Sequence, residues 1–432
     1  MMIYDDNCFA QKIIGNLGAD NIFSCRAGFH RFKGKWERLS SEQLHELVLN
    51  GLDQVNNKLP RKSRCKITSA RVASIVKIIT WKVHKEDLEL NQGPKNLIAC
   101  RNGDLVPEGD GWRLQEPVRE HYRIARIPHE YNPAANAPTF ERFLDEIFRG
   151  DRDFAEKQQL LLAMIGYALV SHCDYERFLI AIGNGANGKS VAFNVARELL
   201  GSRNVAAVHP NLLANSHQRA QLYGKYANII TESEQGGSLP AAEVKAIVSG
   251  EMMTVDQKYG HPFEMMPFAT LFWATNHMPH PSDFSEAIYR RVFIIPFNRS
   301  FGPRERDPDL LDKLKGEMPG ILNMVLRAYA GVLRDGFVEP ASCVEAKKEW
   351  RLNADQVAQW MDERTEYLLV DDEQLTSARA YADFTDWAQE NGVHRKVTHK
   401  SFSQRLGILG VEFRRTKSGM VLANMTLKKR VV

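Results

Sequence analysis

Phe178-Leu179-Ile180-Ala181-Ile182-Gly183-Asn184-Gly185-Ala186-Asn187-Gly188-Lys189-Ser190 is the stretch on which the fold turns. Its first five residues form an apolar run that reads as a short strand buried on both faces. From Gly183 onward the residues fit GxxxxGK followed by Ser, the phosphate-binding P-loop. The glycines let the backbone curl so that successive N–H groups point inward at the β- and γ-phosphates of a nucleotide. Lys189 supplies a point charge, and the Ser190 hydroxyl can ligate Mg²⁺. Val191, Val195 and Leu199 then recur at helical spacing up to Gly201, a natural helix end. A helix opening at the loop aims its N-terminal dipole at the phosphates. Gly183, Asn184, Gly185, Ala186, Asn187, Gly188, Lys189 and Ser190 are therefore the candidate nucleotide site, with ATP and Mg²⁺ as cofactors. Strand, loop and helix in succession predict an α/β domain.

Such a site also needs carboxylates on a neighbouring strand to complete the Mg²⁺ shell and to polarise the attacking water. Ala227 to Glu234, ANIITESE, is an apolar run ending in two acids. Residues i and i+2 of a strand share a face, so Glu232 and Glu234 can act together. Glu232 is assigned to the metal and Glu234 to water, with the two roles exchangeable. A third strand, Phe268 to Thr275, ends at Asn276, whose amide can orient the lytic water beside the γ-phosphate. Arg290 and Arg291 precede a further apolar run, Val292 to Phe297. An arginine there suits a finger reaching into a neighbour's nucleotide.

In this order, the loop, Glu232 with Glu234, Asn276 and Arg290-Arg291 resemble motifs A, B and C and the arginine finger of the superfamily 3 helicases. More narrowly, the chain resembles the C-terminal helicase half of phage and plasmid primase–helicases, a group that includes the poxvirus primase–helicase and satellite-phage replication proteins. KYANIITESEQGGSL, VSGEMMTVDQKYG, LFWATNHMPH and AIYRRVFIIPF carry the likeness, and NLIACRNGDLV, IPHEYNPAANAPTFERFLDEI and LLLAMIGYALV extend it upstream to about residue 90. The resemblance implies an AAA+-like motor assembled as a homo-hexameric ring, with ATP at subunit interfaces. It also implies a hairpin between motifs B and C that holds single-stranded DNA, matched here by Lys258, Tyr259 and His261. Spacing from Asn276 favours Arg291 as the finger over Arg290. Gly250-Glu251 stands where many relatives have Gly-Asp. With little chain ahead of residue 90, and Asp5-Asp6 too isolated for a two-metal site, no primase catalysis is expected. Primer synthesis then falls to a separate primase or polymerase.

Upstream of the motor, residues 1–135 read as mixed α and β, with tight turns at Asn102-Gly103 and Asp110-Gly111. Lys58, Arg61, Lys62, Arg64, Lys66 and Arg71 form a one-sided basic run whose role, solvated loop or nucleic-acid contact, is left open. Thr139 reads as the N-cap of a helix with Phe140, Phe143, Leu144, Ile147 and Phe148 on one face, followed by a second, more apolar helix from about 153 to 170. At the other end, the formal charge of +4 conceals a cancellation. Residues 339–390 hold 13 acids against 5 bases, a net −8, whereas 391–432 hold ten bases against Glu412 alone, a net +9. Within that tail, Ala378 to Glu390 and Thr398 to Leu406 read as helices, and Val411 to Arg415 with Met420 to Met425 as a hairpin. Helix, helix, hairpin is the plan of a winged helix, whose second helix would present Lys400, Ser401, Gln404 and Arg405 to a DNA major groove.

Six cysteines without a CxxC, no signal-peptide pattern and no apolar run near the roughly 20 residues of a membrane span predict a protein of the host bacterial cytoplasm with no membrane partner. Three domains are expected: 1–135, a motor with its helical lead-in over 136–335, and a winged-helix-like 340–432. The leading functional expectation is an ATP-dependent replicative DNA helicase of a phage, prophage or mobile element, acting on single-stranded or forked DNA. Two alternatives are an origin-binding initiator in which ATP controls assembly, and a P-loop regulator or small-molecule kinase, which the pairing of Asn276 with Arg290-Arg291 disfavours.

Overall fold

The computed structural model describes residues 5–86, 88–232, 238–256, 262–281, 286–367, 375–391, 397–416, 419–423 and 425–428. Its largest sheet has five parallel strands in the order Val292–Pro296, Phe178–Ile182, Thr270–Thr275, Ala227–Ile230, Val205–Ala206. Burial on both faces explains why these segments read as unbroken apolar runs rather than alternating ones. The order matters for the site. Phe272 pairs with Leu179 on one side and Ile229 on the other. The strand leading to Asn276 therefore lies between the strand leading to Gly183 and the strand leading to Glu232. All three open at their carboxyl ends, where ligands of parallel α/β sheets bind.

The helix after the phosphate loop, Lys189–Leu200, buries Ala192, Phe193, Val195, Ala196 and Leu199, and stops at Gly201 with φ +83°. Ahead of the sheet, the Pro138–Ile147 helix buries Phe140, Phe143, Leu144 and Ile147, the face that periodicity marks. Its start differs from the expected Thr139 cap. Pro138 begins the helix two residues earlier than a Thr139 cap would, and the orphan N–H groups of Thr139 and Phe140 donate to the Glu317 carboxylate at 3.0 Å. A cap from so far along the chain leaves no local signature.

The N-terminal region is mixed α and β as expected. Helices Asp6–Leu17, Ser41–Lys58 and Ser69–Lys82 enclose a core of Phe9, Ile13, Val48, Leu52, Ile75 and Ile79. A three-stranded meander, Ile22–Cys25, Gly28–Phe32 and Trp36–Leu39, lies beside it. A second meander, Ile98–Cys100, Gly103–Glu108 and Gly111–Gln115, turns at Arg101-Asn102 and Gly109-Asp110. Each turn falls one residue before the expected pair, the second because Gly109 takes the positive φ of +58°. Ile98, Leu105, Ala125 and Ile127 belong to the same buried cluster as Phe140, Leu161 and Phe193. Residues 97–127 thus pack with the five-stranded sheet and its helices, while residues 9–83 enclose a core of their own.

In the C-terminal module the two expected helices and the hairpin are present, joined by a further helix, Gln356–Arg364, and by a strand pair, Thr365–Tyr367 with Met425–Leu427. Helix Gln356–Arg364, strand Thr365–Tyr367, helices Ser377–Glu390 and His399–Ile408, and the hairpin Phe413–Thr416 with Gly419–Leu422 surround Trp360, Phe384, Trp387, Phe402 and Leu406. Thr398 caps its helix by accepting from the Ser401 N–H at 3.2 Å, as read from the sequence. Arg405 requires a correction. Lys400, Ser401 and Gln404 are exposed, but Arg405 is buried and ion-paired with Asp355, itself 4% exposed. One turn beyond Ser401, the helix surface has already rotated onto the Gln356–Arg364 helix. Arg405→Ala should therefore lower stability by about 3–5 kcal/mol, because it strands a buried carboxylate. Lys400→Ala should leave the melting temperature unchanged. Equal melting of the two variants would sink the structural assignment of Arg405.

Candidate functional site

Left-handed backbone shapes the loop over residues 183–190: Gly185 has φ +92°, Ala186 +48° and Gly188 +88°. Glycine is required at two positions for lack of space as well. A Cβ on Gly183 would overlap the Asn187 amide and the Phe297 carbonyl, and one on Gly188 would strike Ile147. The loop is also held from behind. Phe297 N–H donates to Ile182 O and Phe301 N–H to Ala186 O, both at 2.7 Å. The fully buried Lys157 bonds Pro296 O and Asp151, each at 2.7 Å. Nothing local marks Lys157 for this task, since a lysine in the first turn of a helix is ordinary.

In front of the loop lies a cleft of about 290 Å³ lined by Gly185 to Val191, Thr231, Glu232 and Ala274 to Asn276. Lys189 reaches across it, donating to Gly183 O at 2.6 Å, Asn187 Oδ1 at 3.0 Å and Asn276 Oδ1 at 3.2 Å. Ser190 Oγ lies 3.5 Å from Thr231 O, the residue before Glu232. The fold thus brings together the loop, Glu232 and Asn276. Glu234 lies outside the described residues, as do Lys258, Tyr259 and His261. The stem of their expected hairpin is described, with Met253–Val255 antiparallel to Phe263–Met265.

The donor set suits Mg²⁺, which takes one or two protein oxygens and completes its octahedron with phosphate and water. Ser190 Oγ and the exposed Glu232 carboxylate are such hard oxygens on one cleft. Among the described residues, no group of three or more His, Cys, Asp or Glu could hold a metal by itself.

Burial pushes the Lys189 amine down to about 8, against the pull of the Glu232 carboxylate. The folded protein therefore binds fewer protons here than the unfolded chain between about 8 and the ordinary 10.5, so this group's contribution to stability rises with pH across that window. Nucleotide phosphates favour the charged amine. Binding should accordingly take up about one proton per site at pH 9 and only a small fraction at pH 7.5. Calorimetry in two buffers of different ionisation enthalpy reads this directly, and proton release at pH 9 would contradict it.

The two arginines are sorted by the fold. Arg291 is buried, ion-paired with Glu176 at 2.7 Å, and donates to Ser249 Oγ at 3.0 Å and Ala287 O at 2.9 Å. Arg290 is exposed. The structure thus turns Arg291, the residue that spacing favoured as the finger, inward against Glu176, and leaves Arg290 at the surface.

A larger cavity, about 920 Å³, which sequence reasoning missed, adjoins the other side of the loop at Ala186, Gly188 and Val191. Phe143, Phe301 and Leu310 give it an apolar lining, and Arg299, ion-paired with Glu146 and Glu305, lies 4.5 Å from the Phe301 ring centroid. Its walls come from chain segments about 160 residues apart, so no motif records it.

Residues 9–149 match the family described as D5 N terminal like, and residues 181–291 match a family of unknown function, DUF5906. Over 242 residues the chain is 21% identical to the protein named "Putative helicase L207/L206" of Acanthamoeba polyphaga mimivirus. It is 23% identical over 242 residues to "Putative helicase 022R" of Frog virus 3 (isolate Goorha). These alignments cover 49% and 50% of this chain but 25% and 24% of the relatives, so the chain spans about a quarter of their length. In fold it is similar to the A-form apo structures of the NrS-1 C-terminal region, at TM-scores of 0.52 and 0.53 and 10% and 11% identity. The superpositions cover 98% of this chain and 99% and 100% of those chains. No helix among the described residues is long and apolar enough to cross a membrane.

Proposed function

We propose that this chain is an ATP-driven helicase motor of DNA replication, an AAA+-like P-loop ATPase of the superfamily 3 type that works as a homo-hexameric ring on single-stranded or forked DNA. The observation that carries this reading is the 3.2 Å bond from Lys189 to Asn276 across a cleft also lined by Glu232. The helicase names of the viral relatives and the likeness to the NrS-1 C-terminal region agree with it.

In this reading Lys189 exchanges its three internal acceptors for β- and γ-phosphate oxygens, releasing the Asn276 amide to orient water at the γ-phosphate. Ser190 and Glu232 would hold Mg²⁺, which would supply Lewis-acid stabilisation of negative charge at the phosphates. Glu234 polarises the attacking water, the two carboxylate roles being exchangeable. Arg290 enters the neighbouring subunit's site and offsets charge developing on the transferred group. The base and ribose occupy the cavity beside Phe301. The Met253–Met265 hairpin carries Lys258, Tyr259 and His261 to the strand in the pore, and primer synthesis belongs to a separate primase or polymerase.

A second reading, an origin-binding initiator, draws on the C-terminal module, where Lys400 and Gln404 on a helix and Arg414 and Arg415 on the hairpin are all exposed, which suits a winged helix. A strand-displacement assay on forks with 3′ or 5′ tails, run with mass measurement in ATP and DNA, separates the two. Displacement that requires hydrolysis, by a species of six subunits, is the expected result. Sequence-specific duplex binding without displacement would replace the helicase with the initiator.

A further inference from the structure

Between Asp53 and Glu86 the sequence carries nine Lys and Arg and no acid. The fold assigns some of these to structure. Arg71 pairs with Asp6 at 2.9 Å, Arg64 donates to Leu59 O at 3.1 Å, and Lys85 to the Tyr122 hydroxyl at 2.8 Å. Lys58, Arg61, Lys62, Lys66, Lys77 and Lys82 have no carboxylate partner among the described residues. Helix Ser69–Lys82, about 21 Å long, runs from this basic loop to Trp81.

Trp81 is 67% exposed, and the Lys77 ammonium lies 4.8 Å from its ring centroid, one helical turn away. A tryptophan on a frayed end would mean little, but this end is anchored. Val72, Ile75 and Ile79 are buried, Ser24 N–H donates to Val83 O at 3.0 Å, and Lys85 N–H donates to Ser24 O at 2.9 Å. Lys82 has a local reason to be where it is, since a cation at a helix C-terminus offsets the dipole. That reason does not reach Trp81. A fixed indole open to solvent, flanked by cations with no carboxylate partner among the described residues, has the chemistry that stacks an unpaired base and holds its phosphates.

We propose that the Ser69–Lys82 helix and the loop before it form a second contact for single-stranded nucleic acid, outside the motor, with a base stacked on Trp81 and phosphates on Lys77, Lys82 and the loop cations. Single strands are favoured over duplex because stacking on an indole needs a base already free of its own stack. The contact stands apart from the nucleotide cleft and does not depend on hydrolysis.

The test uses the full chain without nucleotide and an oligodeoxynucleotide carrying 5-iododeoxyuridine. Irradiation should attach the probe to the tryptic peptide that contains Trp81, and unlabelled single strand should compete better than duplex of equal length. Trp81→Ala should weaken single-strand binding roughly 5- to 100-fold and Trp81→Phe much less. Lys62→Ala should reduce the slope of log affinity against log salt by about 0.7. Basal ATP turnover and melting should stay at the parent value in all three variants, which separates failure here from failure of the motor assignment. Absence of a Trp81 crosslink together with unchanged affinity of Trp81→Ala would overturn the proposal. So would a change in assembly mass with unchanged affinity, which would make the face a contact between copies of this chain.

Discussion

Lys189→Ala is expected to lower ATP hydrolysis by at least about 10²- to 10³-fold and to remove ATP-dependent strand displacement. Lys189 lines the cleft in which the proposed β- and γ-phosphates would lie, and charge on those oxygens would grow as the bond breaks. Its replacement leaves Gly183 O, Asn187 Oδ1 and Asn276 Oδ1 without their donor, but Asn187 and Asn276 line a cleft that water can enter. Alanine is a strong helix former at the first position of the Lys189–Leu200 helix, and an amine held below its ordinary protonation range is no stabiliser of the fold. Melting should therefore match the parent while phosphate release collapses. Full turnover in this variant would remove the nucleotide site from the mechanism; a collapse of melting instead would mean that Lys189 is structural.

The second large effect separates two neighbouring arginines. Arg290→Ala should cut turnover on the order of 10³-fold with unchanged melting, the usual scale for a finger supplied across an interface. Arg291→Ala should instead cost about 1–3 kcal/mol of stability, because Glu176, Ser249 and Ala287 lose a shared donor while the half-exposed Glu176 can rehydrate. Mixing supplies the sharper measurement. A Lys189→Ala subunit still offers Arg290, and an Arg290→Ala subunit still offers Lys189. Random co-assembly of the two inactive variants should restore up to about a quarter of the sites. A mixture as inactive as either parent would show that Arg290 does not act on a neighbour's nucleotide.

The features legible in the sequence were those written in contiguous residues. The run Phe178 to Ile182 could only be a buried strand, and the glycines after it could only curl, so strand, loop and helix stand as read. Phe140, Phe143, Leu144 and Ile147 fixed the inner face of their helix by periodicity, and Thr398 fixed the start of another. What the apolar pattern could not decide was the fate of a charged residue at the edge of a face. Arg405 and Arg291 each lie where exposure and burial differ by a fraction of a turn or one step of register. Each was drawn inward by a carboxylate remote in the chain, Asp355 fifty residues away and Glu176 farther still. Lys157 and Glu317 act behind the loop and at a helix start for the same reason, and the cavity beside Phe301 exists only where separate segments meet. Exposed Trp81 is the converse case, an aromatic ring that a helical pattern would assign to a core but that the fold leaves in solvent. By itself the sequence determined the local chemistry of the phosphate loop and the faces of the helices. Which ionic groups stay available to a ligand was decided by tertiary structure, because a buried charge must find its partner wherever the chain brings one.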